Sequence, residues 1–447
     1  MKRPRLLLIN PVDKFSAGFS NGAMTCYPPL GLLYVAALTP RNWDIELIDE
    51  NFEEFKFRNA DLVGISSMTP SINRAYEIAG IYKKRGIPVV LGGVHVSMLP
   101  AEALNYGDTV VIGEVESIWK VVLDDYLKGY LLKIYYGEKR DLDNLVEPRR
   151  DMLSNNYNIA TIQTSRGCPM NCEFCSVTSF NGGWFRQRPV EAVLDELEGI
   201  SQRLLFFVDD NLLGHGGGSK DRALKLFDGM IKRGIKKYWW AQSSFNIADD
   251  EEVLKWAARS GCKALFIGIE SVNTETLRLM NKGINLKIGV DNYKSLFRKF
   301  HKYGIAVWGG ILLGNDTDGQ EIFKETAEFI IDSGLDIAQI TFATPLPGTR
   351  FYDRLSRENR IIFRNYPEDW RHYFFQKLVY ETKRLSVEEN YRGMRYVKEK
   401  VYSPFMLKRK FFRTFFQTRK LTSSILAYKI NKVYQQLFYS YDYYKNY

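Results

Sequence analysis

Three cysteines stand within eight positions of one another in the sequence TSRGCPMNCEFCSV. Cys168, Cys172 and Cys175 follow the spacing C-x3-C-x2-C. Thiolates this close in sequence can converge on one soft metal centre, and Gly167 and Pro169 suit a loop that curls round it. Three thiolates favour a four-iron, four-sulfur cluster in which one iron stays open for a substrate or cofactor.

Two other interpretations of the cysteines stay open at this point. A structural zinc site normally has four ligands, so Cys26, Cys262 or a distant histidine would have to complete it. The thiols could also bind nothing. The chain has five cysteines, an odd number without the spacing of an extracellular disulfide framework, which predicts a reducing compartment.

The composition is that of a folded globular protein. Of the 447 residues, 45% are apolar and 26% are charged, which excludes a largely disordered or collagen-like chain. The N-terminus lacks the long apolar core of a signal peptide, and no apolar run reaches the length of a membrane-spanning helix. We therefore expect a cytoplasmic protein, with membrane contact only at its surface, peripheral to the inner face.

Two successive regions alternate short apolar runs with helical stretches. In the first, the strand-like runs are residues 5–9, 45–48, 62–66, 89–91 and 110–112. In the second they are residues 160–164, 204–208, 238–242, 264–269, 306–313 and 337–342. Such alternation predicts α/β architecture with parallel sheets. Six strand–helix units indicate an incomplete barrel, although periodicity alone allows an open doubly wound sheet as well.

With the strands placed, the cysteine triplet resembles the hallmark of the radical S-adenosylmethionine superfamily, which lies in the loop after the first strand of a partial (β/α)6 barrel. Residues 206–211, 240–243 and 266–271, together with Gly310 and residues 313–318, are similar to the later strand ends of that family. Asn315 departs from the pattern, since an aromatic residue is more usual there. The resemblance implies that the cluster ligands are Cys168, Cys172 and Cys175. It also implies S-adenosylmethionine contacts for Asp209, Asp210, Asn211, Gln242, Ser243, Gly268, Glu270 and Gly314.

The first region resembles the cobalamin-binding domain that precedes the barrel in many of these enzymes. Similar stretches are residues 6–11, 28–32, 63–69, 91–95 and 113–116. In such folds ligands lie at the carboxyl ends of parallel strands. The contacts implied for cobalamin are Ser66, Ser67, Thr69, Gly92, Gly93, Gly113 and Glu114. Residues 10–26 contain no Asp-x-His-x-x-Gly, so we expect no histidine beneath the cobalt.

The resemblance implies a cofactor set of a [4Fe–4S] cluster, S-adenosylmethionine and cobalamin. The implied activity is methylation of an unactivated carbon of a small, lipid-like or tetrapyrrole substrate, with an electron donor such as flavodoxin or ferredoxin. Radical cyclisation or carbon–carbon coupling, with or without cobalamin, is the alternative among enzymes. A zinc-stabilised protein that binds RNA or a membrane is the alternative outside enzymes.

The last 44 residues are unusual in composition. Residues 404–447 contain nine basic residues, one acid and 13 aromatics, so this tail supplies +8 of the net charge of +10. Basic and aromatic residues at helical spacing suit an interfacial helix on anionic lipid, a surface for nucleic acid, or helices that pack their rings inward. Among these, nucleic acid is the least favoured.

These observations predict a three-part α/β enzyme. A Rossmann-like, doubly wound parallel sheet occupies residues 1–140 and a linker residues 141–155. A partial (β/α)6 TIM-type barrel occupies residues 156–345. A helical C-terminal extension, which ends in the basic aromatic tail, occupies residues 346–447 and is similar to the extension of members that modify hopanoids, tetrapyrroles or other lipid-like molecules.

Overall fold

The computed structural model describes residues 3–13, 26–214 and 218–440. Its N-terminal elements are, in chain order, β1 (Arg5–Asn10), α1 (Leu30–Leu38), β2 (Asp44–Asp49), β3 (Leu62–Ser66), α2 (Ile72–Lys83), β4 (Val89–Gly92), α3 (Val94–Met98), α4 (Pro100–Ala103), β5 (Thr109–Gly113), α5 (Trp119–Leu127) and β6 (Ile134–Gly137). The six strands form one parallel sheet in the order β2-β1-β3-β4-β5-β6.

Both faces of this sheet are covered, as the apolar strand sequences predict. Leu7 and Ile9 of β1 point into one hydrophobic cluster, while Leu6 and Leu8 point into a second cluster formed with α1 and α5. The strand order reverses between β1 and β3, so the ligand crevice of this doubly wound sheet lies at their carboxyl ends. The edge strand β6 was not predicted from the sequence, because its short run alternates buried and exposed positions.

The second region starts after a stretch that contains one helical turn, Arg150–Met152. Its elements are β7 (Ile159–Ile162), β8 (Ser165–Arg166), α6 (Ser176–Phe180), β9 (Arg186–Gln187), α7 (Val190–Gly199), β10 (Leu204–Phe207), α8 (Ser219–Lys232), β11 (Tyr238–Ser243), α9 (Glu251–Ser260), β12 (Cys262–Glu270), α10 (Thr274–Leu279), α11 (Gly283–Ile288), α12 (Tyr293–Lys302), β13 (Ala306–Leu313), α13 (Glu321–Asp332) and β14 (Ile337–Phe342).

Six of these strands form a parallel sheet in the order β14-β13-β12-β11-β10-β7. Each strand pairs with the next one along the chain, which is the order of a barrel, whereas a doubly wound sheet reverses its order in the middle. β7 and β14 are the two edges, so the barrel is partial. The predicted α/β fold class is confirmed.

Four helices follow, α14 (Arg350–Arg357), α15 (Val387–Tyr402), α16 (Pro404–Thr418) and α17 (Leu421–Ser440). α15 and α17 cover the open edge of β14. Asn431 Nδ2 donates to the Asp336 carbonyl (2.8 Å), and Tyr402 OH donates to the Ala338 carbonyl (2.7 Å), so side chains replace the missing strand partner. Among the described residues, no helix combines the length and apolarity needed to cross a bilayer.

Candidate active site at the carboxyl ends of the barrel strands

The cysteine loop runs from the end of β8 to the start of α6 and is partly open to solvent. Cys172 is buried, whereas Cys168 and Cys175 are partly exposed. Burial raises the pKa of the Cys175 thiol to about 12, and the nearby charges of Cys172 and Cys168 add to that rise. The three thiols therefore lie close enough to interact electrostatically, and as a soft donor set they fit an iron–sulfur cluster. Across residues 3–13, 26–214 and 218–440 no three His, Cys, Asp or Glu side chains already converge as a metal site.

Two aspartates at the end of β10 hold this loop. Asp209 is fully buried and accepts hydrogen bonds from the Thr164 amide (2.6 Å), the Thr164 hydroxyl (2.5 Å) and the Ser165 amide (3.2 Å). Asp210 accepts from the Gly167 amide (2.8 Å), the residue directly before Cys168. Burial raises the pKa of both carboxyls, and the hydrogen bonds oppose that rise. Both side chains position the cysteine loop, and their contact with S-adenosylmethionine stays a prediction.

Asn211 points toward the same loop. Its side-chain amide donates to Ser244 Oγ (3.0 Å), and a hydrogen bond from Asn211 partly offsets the rise that burial causes in the pKa of Cys168. Its Oδ1 is buried, and no residue that the structure describes forms a hydrogen bond with it. A buried acceptor without a partner beside the cysteine loop fits a ligand that carries donors, as the amino group of S-adenosylmethionine does. The neighbouring strand β11 ends in Gln242, which is partly buried, and in buried Ser243.

Glu270 ends β12 in a strained conformation and forms a buried ion pair. It has φ +64°, next to a register shift between Gly268 and Glu270. Lys282 Nζ lies 3.0 Å from Glu270 Oε1, and both side chains are about nine-tenths buried. Gly268 leaves room for the pair, because a Cβ there would lie 2.2 Å from the Glu270 oxygen. Strained backbone of this kind clusters at functional sites.

Lys282 was missed by the sequence analysis, although its positive charge lies near all three cysteines and acts to lower the pKa of each thiol. Burial alone would lower the pKa of Lys282, but the charges of Glu270 and Cys172 outweigh burial and raise it. The loop that carries Lys282 touches the cysteine loop directly, since Asn281 Nδ2 donates to the Asn171 carbonyl (2.7 Å). The ammonium can therefore hold an anionic group, such as a ligand carboxylate, next to the thiols. The only sequence signal is a lysine before a glycine, twelve residues after Glu270.

Gly314 follows β13 and lies under the C-terminal lobe. It has φ +80°, which favours glycine, and its carbonyl accepts a short hydrogen bond from buried Tyr380. Asn315, where an aromatic residue was expected, donates through its backbone N–H to Asp318 Oδ2 (2.8 Å) and through its side-chain Nδ2 to the same oxygen (3.0 Å). The predicted contact of Gly314 near the adenine stays a prediction.

In the N-terminal domain the predicted residues divide into two groups. Ser67 and Thr69 are buried and engaged internally, with Ser67 Oγ 2.9 Å from Ser71 Oγ and Thr69 Oγ1 3.2 Å from His95 Nδ1. Ser66 is partly exposed at the end of β3. A Cβ at Gly92 would meet only the Val111 carbonyl oxygen, at an ordinary contact distance of 3.9 Å. Ser66 and Gly92, at the carboxyl ends of β3 and β4, therefore leave an edge of the sheet that fits a large cofactor in the ligand crevice.

Two further positions, Gly93 and Gly113, serve the architecture. Gly93 must be glycine, because its φ is +99° and a Cβ would lie 2.5 Å from the Ser67 carbonyl oxygen. Gly113, with φ +83°, donates its amide to Ser97 Oγ (3.0 Å). For these residues, as for Ser66, Ser67, Thr69, Gly92 and Glu114, contact with cobalamin stays a prediction.

A buried cluster of charges joins the two domains, and the sequence analysis missed its arginines. Glu114, directly after β5, accepts from Arg166 Nη1 and Arg186 Nη1, both at 2.9 Å. Arg166 also donates to Glu116 (2.6 Å). Arg166 lies two residues before Cys168, so this cluster brings the carboxyl ends of the N-terminal sheet against the cysteine loop.

Comparison with known proteins agrees with this geometry. The B12 binding domain family matches residues 23–123, and the Radical SAM superfamily matches residues 162–330. The chain is 30% identical over 416 residues to bacteriochlorophyllide d C-12(1)-methyltransferase of Chlorobaculum tepidum, which covers 90% of this chain and 88% of that protein. It is also 30% identical over 353 residues to the hopanoid C-2 methylase of Rhodopseudomonas palustris, which covers 75% of this chain and 65% of that protein.

Solved structures share the fold. The cobalamin-dependent S-adenosylmethionine radical enzyme OxsB matches with a TM-score of 0.71 at 16% identity, covering 94% of this chain and 72% of that one. The radical S-adenosylmethionine methyltransferase TsrM from Kitasatospora setae matches with a TM-score of 0.64 at 17% identity, covering 80% of this chain and 75% of that one.

The predicted cofactor set and enzyme class are thereby confirmed, and the zinc-stabilised binding protein is disfavoured. With a [4Fe–4S] cluster, S-adenosylmethionine and cobalamin as its cofactors, this chain belongs to the family of cobalamin-dependent radical S-adenosylmethionine methyltransferases.

Proposed function

We propose that this enzyme methylates an unactivated carbon of a small tetrapyrrole or lipid-like substrate, bound between the N-terminal sheet and the barrel. When bound, the cluster supplies the electron that cleaves S-adenosylmethionine, and cobalamin carries the methyl group. The observation that carries the proposal is the charge cluster of Glu114 with Arg166 and Arg186, which joins the end of β5 to the cysteine loop. Hydrogen abstraction and methyl delivery need such a shared crevice, because both act on one substrate carbon.

The chain's own residues provide the walls of that crevice. The loop before α14 contributes Gly348, where an added Cβ would lie 2.3 Å from Met98 Sδ of α3, and the Gly348 carbonyl accepts from Ser179 Oγ of α6 (2.6 Å). This loop therefore touches both domains. Such closure excludes water from the reacting carbon. The substrate class rests on the relatives, whose names give a bacteriochlorophyllide and a hopanoid as their substrates.

The direct test is turnover with candidate acceptors. The enzyme is purified without oxygen, reconstituted with iron, sulfide and hydroxocobalamin, and incubated with reductant, S-adenosylmethionine carrying a trideuterated methyl group, and either a bacteriochlorophyllide or a hopanoid. We expect one labelled methyl group on the product, with one S-adenosylhomocysteine and one 5′-deoxyadenosine formed for each. Formation of 5′-deoxyadenosine with an unlabelled product would instead indicate cyclisation or coupling.

The domain contact has its own test. Glu114→Gln removes the buried charge that both arginines share, so the two domains are held less firmly. We expect more 5′-deoxyadenosine per methylated product than in the wild type. Glu138→Gln is the control, because both side chains of the Glu138–Arg140 ion pair are exposed and such a pair contributes little to stability. An unchanged ratio in Glu114→Gln would contradict the role of this contact in coupling the two steps.

The finer predictions about partners remain proposals. An electron donor such as flavodoxin or ferredoxin is expected to reach the cluster where Asn171 and Asn281, next to the cysteines, are exposed. Contact of the enzyme with the inner face of a membrane is a second proposal.

A further inference from the structure

The last two helices form a hairpin under the barrel. Ser423 Oγ of α17 donates to the carbonyl of Gly304, just before β13 (2.8 Å). Thr414 Oγ1 of α16 donates to Asp336, just before β14 (2.6 Å). The hairpin therefore covers the amino ends of the strands, at the opposite end of the barrel from the cysteine loop.

The outward stripe of α16 is aromatic and basic. Phe405, Phe412 and Phe416 expose 72%, 58% and 73% of their surface. At helical spacing, these rings share one side of the helix with exposed Lys408, Arg409, Phe415 and Arg419. The inner side packs on the protein through residues such as Met406 and Leu407. Large rings exposed in this number are not explained by packing within the chain.

The outward stripe of α17 has the same character. Exposed Leu421, Ile425, Tyr428 and Tyr439 lie on one side of the helix. Exposed Lys429 and Lys432 flank them. The Tyr428 ring lies 6.0 Å from the Phe411 ring of α16, so the two stripes adjoin. We call this combined surface the hairpin face.

The hairpin face carries only one sign of charge. Residues 404–440 contain no aspartate or glutamate. Its exposed cations are Lys408, Arg409, Arg419, Lys420, Lys429 and Lys432. In the described part of the chain, none of these six forms an ion pair with a carboxylate. A surface of this kind is complementary to a negatively charged partner.

We propose that the hairpin face docks the enzyme on the surface of an anionic lipid bilayer. Rings and aliphatic side chains enter the interface, and the cations meet lipid phosphates. Leu421 and Ile425 favour lipid over nucleic acid, because aliphatic side chains gain from acyl chains whereas base stacking needs planar groups. Docking at this end leaves the cysteine loop free for an electron donor.

Vesicle co-sedimentation of the full-length protein tests this proposal without any need for turnover. Vesicles of pure phosphatidylcholine are compared with vesicles that contain a quarter phosphatidylglycerol, in low salt and in 0.5 M salt. We expect binding to the anionic vesicles alone, with strong weakening in high salt. Lys408→Gln/Arg409→Gln should weaken partitioning about tenfold or more, since each basic residue near such a surface contributes about 1 kcal/mol. Phe412→Ser/Phe416→Ser should weaken it at either salt concentration.

Tyr136→Ser is the control, because Tyr136 is an equally exposed ring on the distant strand β6. Circular dichroism checks that each variant keeps its fold, which is expected because every substituted side chain is exposed. Equal binding of wild type and both double variants, or no binding to anionic vesicles, would overturn the proposal. Binding to a mixed-sequence single-stranded RNA that both double variants lose, with no vesicle binding, would assign the hairpin face to nucleic acid instead. Failure of methyl transfer would leave this result unaffected.

Discussion

The two ends of the barrel both bury charged side chains, but these charges are connected to different parts of the chain. At the carboxyl end, Asp209 and Asp210 accept hydrogen bonds from the loop that carries the cysteines. At the amino end, fully buried Asp336 accepts from His301 Nε2 (2.8 Å), the Val307 amide (2.7 Å) and Thr414 of α16. One end fixes a loop that presents thiols, and the other fixes a helix that seals the barrel.

This difference shows that burial of charge alone does not locate a functional site. Beside the cysteines, the carboxyl end keeps a cation, Lys282, and an acceptor, Asn211 Oδ1, for which the described part of the chain offers no hydrogen-bond partner. At the amino end the buried carboxylate of Asp336 is satisfied by side chains and backbone of the chain itself. Chemistry at the carboxyl ends and stability at the amino ends is the general division of labour in such barrels. Substitutions at the two ends should therefore have separable effects.

The largest effect is expected from Cys172→Ala at the carboxyl end. Removing one of three thiolates leaves too few ligands for the cluster, so iron content and S-adenosylmethionine cleavage should fall to background. Iron and sulfide analysis and 5′-deoxyadenosine formation measure the two losses.

Cys262→Ala is the matched control for that variant. Cys262 is a buried thiol at the start of β12, and its substitution should leave iron and turnover intact. Full cluster content in Cys172→Ala would refute the assignment of the carboxyl end as the reactive end.

Asp336→Ala should produce the opposite pattern. It leaves buried His301 and Thr414 without their acceptor, so the free energy of unfolding should fall by about 3–5 kcal/mol while reconstituted iron stays at the wild-type level. Urea unfolding measures the first and elemental analysis the second. Asp124→Ala, in the surface pair with Lys120, should cost less than about 1 kcal/mol. Loss of iron in a folded Asp336→Ala protein would contradict the proposal that the two ends of the barrel have separate roles.

The sequence predicted the elements of this comparison better than their connections. Apolar runs located the strands, and the spacing of Cys168, Cys172 and Cys175 predicted the cluster before any fold was known. Periodicity left a barrel and an open sheet equally allowed, because both repeat strand and helix. Only the pairing of each strand with the next one decides between them.

The contacts of the site were harder to predict because their partners lie far apart in the chain. Glu114 and Arg166 are 52 positions apart, and Asp209 and Thr164 are 45. Position at a strand end singled out Asp209 and Glu114 as cofactor contacts, which stay predictions, and nothing in the sequence shows that their oxygens already accept hydrogen bonds within the chain. Lys282 lies in a loop between two short helices, where strand periodicity does not reach.

Lys282→Met tests whether the ion pair of Lys282 with Glu270, at the carboxyl end, takes part in binding S-adenosylmethionine. If the ammonium holds the carboxylate of S-adenosylmethionine, its loss should weaken binding about 10- to 100-fold, while Lys282→Arg retains most of the affinity. Anaerobic equilibrium dialysis with reconstituted enzyme measures the dissociation constant. The double variant Lys282→Met/Glu270→Gln removes the unpaired buried carboxylate and should recover stability without recovering affinity. Recovered affinity in the double variant would make the pair purely structural.

The smallest effect is expected from Lys410 of α16, at the amino end. Its Nζ is buried and has no hydrogen-bond partner within residues 3–13, 26–214 and 218–440, and its charged neighbours are Arg413 and Asp336. Burial lowers the pKa of Lys410 from 10.5 to about 7, so between these values the unfolded chain binds one more proton than the folded one. Stability should therefore rise with pH across this window, by up to about 1 kcal/mol from pH 7 to pH 8, and the penalty is complete below pH 7.

Lys410→Met isolates this contribution, because Lys398 is also buried and its pKa is also lowered to about 7. Urea unfolding of wild type and variant at pH 7 and pH 8 should show the variant more stable, by a margin that shrinks at the higher pH. The variant removes a charge whose transfer into the barrel costs free energy and keeps a side chain of similar length. A margin independent of pH would mean that Lys410 stays charged in the folded protein. Both ends of the barrel would then hold a buried cation, although Lys282 at the carboxyl end is paired with Glu270.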